Sequence, residues 1–521
     1  MQNGKNISDI HRTYIEIEKD HKLLFRFLEF IPGLLTWVTL LSPLWLGIIV
    51  PKLAMFFLTF LSIYWIYRAI IHTYGVLKGL RIYRKEARID WLRKCKGLNF
   101  EDLPNKEEIP NKLSNIKHFI LIPTVNESFE VLEPTFKSIY ENNFPTKNLF
   151  IVVSIEKKGE EVVKKSIKRI KEKYPFEHLY AYVHPQGIPG EVIGVGSPNR
   201  TWGAKHGVAG LTKKGYDIKE FIFSTFDADT VLHKEFLPRV TYEYLTSEHR
   251  LSKFFSTALF LFNNNIWNVP LLMRIEANSV TLGTLSSWVL ESGVRETFSC
   301  YSTALQTLID ANFWDVTTID DSVFFWRAFF ARNGRFEGRC FFIPVSNDAV
   351  SGETFLKAHI SLYKQLVRWG WGSIVFPIAM YGFLKNKGIP KTAKLLWTFS
   401  KIERHLIWRT IAFLITFGFG LLTIASKDIR HSAAVYRLPE IISIMLSAAL
   451  VLIIPVTYFR MKITKQIPND WPIWRRFTVY LEGPLIMINL LTYSFIPFLE
   501  AETKMMLGKK FKNTYYTPKL R

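Results

Sequence analysis

Two aspartates follow an apolar run in a pattern that could bind a cation. Asp227 and Asp229 are two positions apart and come shortly after residues 221–224, Phe-Ile-Phe-Ser. Two carboxylates at this spacing can both reach one hard cation and leave open positions for phosphate oxygens. A turn or cap after a buried strand would place the same residues there without any ligand. The pattern predicts either a cation site or a turn.

A second acidic pair precedes an apolar helical segment. Asp320 and Asp321 come just before residues 323–330, Val-Phe-Phe-Trp-Arg-Ala-Phe-Phe. Carboxylates at a helix start can cap the helix and interact with its dipole. A carboxylate held in such a position can also act as a general base. Both interpretations of this pair stay open on the residues alone.

A third group lies on one face of a predicted helix. Gln365, Arg368 and Trp369 are three and four positions apart, which places them together on a helix surface. Arginine offers a planar fork for phosphate, and tryptophan offers a flat surface for a sugar ring. The alternative is an aromatic residue at a membrane interface with a snorkelling arginine.

The elements that must position these residues alternate along the polar middle of the chain. Apolar runs at 118–122, 149–154, 179–183 and 221–224 are interleaved with helical periods, for example 159–173. Strands that alternate with helices at this spacing predict an α/β domain with a largely parallel sheet. In such a sheet, ligands lie beyond the carboxyl ends of the strands. We therefore expect the functional residues to follow the apolar runs.

Composition and charge exclude several classes of protein. The 521 residues are 48% hydrophobic and 21% charged, which excludes a disordered chain. The net charge of +22 indicates an anionic partner: a nucleic acid, an anionic membrane face or a phosphorylated small molecule. Many basic residues lie beside apolar segments, which disfavours a nucleic acid. The widely spaced Cys95, Cys300 and Cys340 exclude a zinc ribbon and a disulfide framework, and they suit a reducing compartment.

Several segments reach or approach the length of about 20 apolar residues that crosses a bilayer. They are 31–74, which we predict to form two helices broken near 50–52, and 410–426, 441–459 and 477–499. The segments 374–384 and 391–404 suit helices that lie in the interface. Basic residues in 460–479 and 501–521 favour the cytosol for both regions. Because only 477–499, broken at Gly483–Pro484, separates these regions, the number of spans stays open in a protein predicted to be integral and multi-pass.

The order of these motifs resembles the membrane-embedded family 2 glycosyltransferases, the group of cellulose, hyaluronan and chitin synthases and their single-transfer relatives. The similarity covers residues 117–371 and the flanking membrane segments. It implies an α/β glycosyltransferase domain, GT-A-like with a mostly parallel sheet, which is cytosolic and inserted between transmembrane helices. Near the carboxyl end, Thr517-Pro518-Lys519 is similar to the family's gating segment.

The resemblance also implies a reaction and a set of roles. A sugar would move with inversion from a nucleotide diphosphate sugar, with a UDP-sugar expected, to a glycan or lipid-linked acceptor at the lipid bilayer. Asp227 and Asp229 would hold Mg²⁺ or Mn²⁺, and Asp321 would be the base, with Asp320 as its alternative. The remaining residues would contact the donor (Asn126, Glu127, Glu156, Gln365, Arg368 and Lys519) or the acceptor sugar (Trp369).

Some positions depart from the family pattern. The acidic pair is Asp-Asp rather than Glu-Asp, Glu156 is the lone acid after the second strand, and the family's lysine before a glycine-rich helix is replaced around 200–206. A processive polysaccharide synthase with coupled export is an alternative to single transfer, and a transporter with a cytosolic domain is a remote one.

The predicted organisation has seven parts along the chain. They are a cytosolic segment 1–30, a transmembrane hairpin 31–75, a linker 76–116, a catalytic domain 117–350, the helix of Gln365 with interfacial helices in 351–404, a transmembrane region 405–500 and a basic cytosolic tail 501–521.

Overall fold

The computed structural model describes most of the chain, with short gaps. The described residues are 12–192, 195–290, 294–319, 321–431, 437, 440–444, 447, 450–511, 516, 517 and 519. Asp320, the alternative base, and part of the predicted span 441–459 therefore lie outside the described residues.

The described strands form two sheets. In chain order they are β1 (Lys117–Thr124), β2 (Leu149–Glu156), β3 (His178–His184), β4 (Phe221–Thr225), β5 (Val231–Leu232), β6 (Lys253–Thr257), β7 (Phe260–Leu261), β8 (Tyr301–Ala304), β9 (Glu337–Phe341) and β10 (Val345–Ser346). The large sheet has the order β3-β2-β1-β4-β8-β6-β9, and the small sheet has the order β5-β10-β7.

Most neighbouring strands of the large sheet are parallel. The first four strands pair in parallel, with β1 between β2 and β4. Strand β8 runs antiparallel between β4 and β6, and β9 is parallel to β6. The prediction of a mostly parallel sheet is confirmed.

Helices surround the sheet and extend away from it. The described α-helices are α1 (Tyr14–Asp20), α2 (Lys22–Leu40), α3 (Ser42–Ile49), α4 (Pro51–Glu86), α5 (Trp91–Lys96), α6 (Phe129–Tyr140), α7 (Glu160–Lys173), α8 (Gly196–Lys213), α9 (Phe236–Thr246), α10 (Leu271–Leu290), α11 (Leu305–Asp310), α12 (Asp321–Ala331), α13 (Phe355–Gly370), α14 (Val375–Lys385), α15 (Lys391–Ile402), α16 (Trp408–Ala425), α17 (Lys427–Arg430), α18 (Ile453–Ile463), α19 (Ile473–Thr478), α20 (Ile486–Leu491) and α21 (Ile496–Met506).

Both faces of the large sheet are buried. In β1, Phe119 and Leu121 belong to one apolar cluster, whereas Ile120 and Ile122 belong to another. Successive side chains of a strand point to opposite faces, so these clusters lie on the two sides of the sheet. Burial on both sides explains why the parallel strands have continuous apolar runs rather than alternating ones.

Three helices in the described part of the chain are long and apolar enough to cross a membrane: Lys22–Leu40, Pro51–Glu86 and Lys391–Ala425. The break predicted near residues 50–52 lies between α3 and α4. Residues 391–404, predicted to lie in the interface, are continuous with α16 through the π-helical turn Glu403–Ile407. The segments Ile473–Glu482 and Ile486–Met506 meet at an angle of 54°, around the predicted break at Gly483–Pro484.

Candidate active site

The carboxyl ends of β1, β2 and β4 bring several predicted donor and cation residues to one edge of the sheet. Because these strands are parallel neighbours, the residues that follow them share that edge. Asn126 and Glu127 follow β1, and Glu156 ends β2. Asp227 and Asp229 follow β4. These residues, predicted to contact the donor and the cation, therefore share one edge of the sheet.

One guanidinium joins the two acidic motifs. Arg200 donates from Nη1 to Oδ1 of Asp321 at 2.6 Å and from Nη2 to Oδ1 of Asp227 at 3.1 Å. Its side chain is only 4% exposed, whereas those of Asp227 and Asp321 are 33% and 22% exposed. The guanidinium is thus buried behind two partly open carboxylates. Asp227 and Asp321, which are far apart in the sequence, form one cluster.

Close packing of α8 against the sheet positions Arg200. A Cβ at Gly203 would lie 2.5 Å from Cβ of Ser154, and a Cβ at Gly207 would lie 2.5 Å from Cζ of Phe119. Larger side chains there would push the helix away from the strands. The amide of Asn199 donates to the carbonyls of Thr124 at 3.0 Å and Ser154 at 3.1 Å. The start of α8 is therefore tied to the ends of β1 and β2.

The carboxylate of Asp229 is fully buried and engaged on both oxygens. Its Oδ1 forms an ion pair with the ammonium of Lys519, and its Oδ2 accepts a hydrogen bond from the backbone N–H of Asp348 at 2.9 Å. Burial by itself lowers the pKa of Lys519. The carboxylates of Asp229, Asp227 and Asp348 raise this pKa by more than burial lowers it, so the pKa lies above its ordinary value. Lys519 is therefore a charged group that pairs with Asp229 and is further stabilised in its charged form by Asp227 and Asp348.

The carboxyl-terminal tail runs across this edge of the sheet. Phe511 packs against Trp371, with ring centroids 5.3 Å apart, at the end of α13. The hydroxyl of Tyr516 donates to Oε1 of Glu127 at 2.7 Å, and Lys519 follows at Asp229. Glu127 is itself held by the backbone N–H of Val125 at 2.6 Å. The described tail residues thus connect α13, the end of β1 and the end of β4.

Asp321 is the first residue of α12, in agreement with its predicted place at a helix start. Its backbone carbonyl accepts a hydrogen bond from Oγ1 of Thr297 at 2.5 Å. The helix itself is anchored by buried aromatic residues, among them Phe324, Phe325 and Trp326. Asp321 therefore extends from a rigid element towards Arg200.

The predicted helix face of Gln365, Arg368 and Trp369 lies in the second half of α13. Trp369 is 39% exposed, and Oε1 of Gln365 is buried with no hydrogen-bond partner among the described residues. Just beyond the helix, a Cβ at Gly372 would lie 3.8 Å from Cδ1 of Ile319. The end of α13 therefore adjoins the loop that leads to Asp321.

Glu156 faces a histidine. Its Oε2 is 3.4 Å from Nδ1 of His184, whose Nε2 is 2.9 Å from Oε2 of Glu191. Burial lowers the pKa of His184, but the two carboxylates outweigh it, and the net pKa is raised. At the edge of the sheet, the carboxylate of Glu156 is therefore in contact with the imidazole of His184.

The residues do not fit a divalent ion in this arrangement. Carboxylate oxygens of Asp227 and Asp229 are of the type that Mg²⁺ and Mn²⁺ prefer. However, Asp227 faces Arg200 and Asp229 faces Lys519. The described residues contain no group of three or more histidine, cysteine, aspartate or glutamate side chains that could hold a metal. In this structure the cationic partners of Asp227 and Asp229 are Arg200 and Lys519.

Two residues of the site were not predicted from the sequence. Arg200 was noted only as a departure from the family pattern, and Asp348 was not noted at all. The signal for Arg200 is the pair Gly203 and Gly207, whose spacing of four indicates a helix in close contact with another element. The signal for Asp348 is its position after β10, because it follows a short apolar run as Asp227 does.

Comparisons with known proteins give limited similarity. No family model matches the sequence, and no curated protein matches it. Among solved structures, the chain is similar to the mannosyltransferase PcManGT from Pyrobaculum calidifontis in complex with GDP-Man and Mn²⁺, with a TM-score of 0.41, 13% identity, and coverage of 84% of this chain and 99% of that chain. It is also similar to S. aureus TarS 1-349 in complex with UDP-GlcNAc, with a TM-score of 0.31, 12% identity, and coverage of 76% and 93%.

Proposed function

We propose that this protein is a membrane glycosyltransferase that moves a sugar, with inversion, from a nucleoside diphosphate sugar to an acceptor hydroxyl. The observation that carries the proposal is the bridge by which Arg200 holds Asp227 and Asp321 in one cluster. In the proposal, Asp227 lies on the donor side of this bridge, and Asp321 accepts the proton of the acceptor hydroxyl. The tail adds the charge of Lys519 at the same edge of the sheet.

The proposed reaction is a direct displacement at the anomeric carbon. The acceptor oxygen forms a bond to that carbon while the bond from the carbon to the oxygen of the β-phosphate breaks. The nucleoside diphosphate leaves with the bonding electron pair, and the acceptor's proton goes to Asp321. Arg200 orients Asp321 as a carboxylate, which is the form that accepts a proton. Proton transfer to a positioned base contributes typically about 10²–10⁴-fold to the rate.

The leaving diphosphate needs positive charge as it departs. In the proposal, Lys519 stabilises the negative charge of the leaving diphosphate, together with Arg368 and Gln365 on α13. Trp369 supports the acceptor sugar. Asn126, Glu127 and Glu156 would contact the donor at the ends of β1 and β2. Mg²⁺ or Mn²⁺ belongs to the proposal only as an ion that would replace Lys519 at Asp229.

The test is transfer from labelled donors by the full-length protein in membranes. The panel starts with UDP-sugars and includes GDP-mannose, since the two solved structures contain one donor of each kind. Asp321→Asn should abolish transfer and leave donor binding nearly intact, because only the proton acceptor is lost. Asp310→Asn is the matched control. Asp310 also pairs with an arginine, Arg332, at 2.6 Å, but it lies at the end of α11 rather than on α12 with Asp321. Appreciable transfer by the Asp321 variant would remove this residue from the role of base.

A processive polysaccharide synthase is the second candidate. The observation that favours it is the contact of the tail with Glu127 and Asp229, because a segment that covers the site could retain a growing chain between transfers. Product size after incubation with a labelled donor separates the two candidates: a ladder or long polymer indicates processive synthesis, and a single added sugar indicates single transfer.

A further inference from the structure

The carboxyl-terminal tail begins where α21 ends, in close contact with α2 at the other end of the chain. A Cβ at Gly33 of α2 would lie 2.6 Å from Cβ of Met506 and 2.8 Å from the backbone oxygen of Glu502. Arg26, also on α2, donates from Nη1 to the carbonyl of Met505 at 2.9 Å and from Nη2 to the carbonyl of Met506. A basic side chain at the last carbonyls of a helix stabilises its end. Helix α2 therefore fixes the point from which the tail starts.

The ammonium of Lys510 in the tail lies between two carboxylates of the amino-terminal helices. It forms an ion pair with Oε1 of Glu18 in α1 and another with Oε1 of Glu29 in α2, the latter at 3.0 Å. The side chain of Glu29 is only 3% exposed, and that of Glu18 is 18% exposed. Charges that are shielded from water are screened less than exposed ones. The contact with Glu29 is therefore stronger than an ordinary surface ion pair.

Tyr14 connects this ion pair to the α/β domain. Its hydroxyl donates to Oε1 of Glu29 at 2.5 Å, and its backbone N–H donates to Oδ2 of Asp315 at 2.6 Å. The side chain is 6% exposed, and its ring packs against that of Phe25 with the centroids 5.3 Å apart. A buried carboxylate needs hydrogen-bond donors, and Tyr14 supplies one from a fixed position. The orientation of Glu29 towards Lys510 therefore depends on Tyr14.

Asp315 lies in the loop that leads to the proposed base. Its Oδ1 accepts hydrogen bonds from the backbone N–H of Thr317 at 2.8 Å and from Oγ1 of the same residue at 2.6 Å. The carbonyl of Thr318 accepts a hydrogen bond from Oγ of Ser197 at 2.7 Å, at the start of the helix that carries Arg200. The amino-terminal helices are therefore bound both to the loop before α12 and to the tail.

We propose that α1 and α2 form a clamp that holds the tail over the candidate active site, with Tyr14, Glu29 and Lys510 as positioning residues. The part of the tail in the reaction rests on the proposed function, whereas the clamp itself does not. Lys519, which pairs with Asp229, is nine positions after Lys510. Because the clamp fixes Lys510, the segment that has to be ordered when Lys519 docks is short. A short segment loses less conformational entropy on docking than a long one.

The first test measures docking of the tail without turnover. The purified full-length protein in phosphatidylcholine nanodiscs is treated briefly with trypsin, which cleaves after Lys512, and the peptide that begins at Asn513 is quantified by mass spectrometry. The rate of release follows the population of molecules whose tail is undocked. Tyr14→Phe removes one hydrogen bond to a carboxylate and should speed release about tenfold. Release at the wild-type rate would overturn the proposal.

Tyr174→Phe is the matched control for the tyrosine. Tyr174 is also 6% exposed, and its hydroxyl also donates to a glutamate, Glu133 of α6. This variant should release the peptide at the wild-type rate, because Glu133 does not belong to the clamp. Equal acceleration by both tyrosine variants would indicate a general loosening of the fold and would overturn the clamp.

Substitutions of Lys510 test the clamp from the side of the tail. Lys510→Gln should speed release as Tyr14→Phe does, and the double variant should add little, because both changes act through Glu29. Lys510→Arg keeps the charge and should release the peptide at nearly the wild-type rate. Lys509→Gln is the control, since Lys509 is the neighbouring exposed lysine of the same tail. Equal effects of the two glutamine substitutions would contradict a specific contact of Lys510.

Transfer assays then separate this inference from the proposed function. Tyr14→Phe and Lys510→Gln should raise the KM for the donor about tenfold and change kcat less, because a saturating donor draws the tail back to the docked state. Faster release with an unchanged KM would overturn the role of these residues in positioning the tail for the reaction. Faster release in a protein that transfers sugar from no donor would support the clamp and contradict the glycosyltransferase proposal. Transfer with the wild-type KM and wild-type release in both variants would do the reverse.

Discussion

Replacing Arg200 with lysine is expected to slow transfer about 10- to 40-fold. Lysine keeps the charge, but its compact ammonium cannot reproduce the fork that donates to Asp321 at 2.6 Å and to Asp227 at 3.1 Å. A hydrogen bond between charged groups contributes about 1.5–3 kcal/mol, and each 1.4 kcal/mol is a factor of ten. Loss of one such bond would therefore lower the rate of transfer by about 10- to 150-fold. The lower part of this range applies because Asp227 is 33% exposed, and water replaces part of the lost contact.

The assay is the rate of transfer by purified full-length protein as a function of donor concentration and pH. The loss should appear mainly in kcat, because Asp321 acts on the acceptor proton rather than on donor binding. The acidic limb of the pH–rate profile should also move to higher pH. A carboxylate that loses a hydrogen bond from a charged donor takes up a proton at higher pH, and the base is then lost earlier on acidification. A merely structural role for Arg200 would leave this profile in place.

Arg239→Lys is the matched control. Arg239 is also buried and bridges two carboxylates, Glu86 at 3.1 Å and Glu243 at 2.7 Å, neither of which belongs to the site. This variant should lower thermal stability and leave kcat per folded molecule unchanged. The reasoning would be refuted if Arg200→Lys kept the wild-type rate and pH profile, or if both variants slowed transfer equally.

Three further predictions concern the tail and the edge of the sheet. Lys519→Ala should tighten Mn²⁺ binding about tenfold in titration calorimetry, because Asp229 then faces no ammonium. An Mn²⁺ affinity equal to that of the wild type would contradict the idea that Lys519 and the metal ion compete for this carboxylate. Deletion of 514–521 should leave a protein that inserts and folds but loses most transfer activity and binds donor more weakly, since the tail contacts Glu127 and Asp229. Full activity of the truncated protein would show that the tail is not needed to cover the site. The raised pKa of His184 should stabilise the fold at pH below about 6.5, its unfolded value, and this contribution should disappear as pH rises through the higher folded pKa. His184→Gln should remove that dependence from the thermal unfolding midpoint, and an unchanged pH dependence would show that the ion pairs of this histidine contribute nothing to stability.

The positions of the strand-end residues could be predicted from the sequence because they depend on local pattern. Continuous apolar runs such as 118–122 and 149–154 indicate strands buried on both faces. Parallel strands bring their carboxyl ends to one edge, which is where the structure has Glu127, Glu156 and Asp229. Apolar length likewise identified the helices around residues 31–74 and 410–426, because spanning a bilayer depends on composition over about 20 residues.

The continuity of the long apolar helices was harder to predict. Residues 391–404 contain basic and apolar residues in mixture, and by themselves they suit an interfacial helix. In the structure, tertiary partners compensate two of these charges: Lys401 pairs with Glu296, and Glu403 pairs with Arg68. With these contacts, the segment continues into α16 as one helix.

The amino-acid sequence by itself determined which residue types stand after each strand, where the apolar segments lie and how much positive charge the chain carries. Only the tertiary structure decided which of these groups meet. Arg200 bridges Asp227 and Asp321, and Lys519 contacts Asp229 across nearly 300 residues, and no local pattern encodes either contact. The physical reason is that a secondary-structure period depends on near neighbours, whereas an ion pair depends on how whole elements pack.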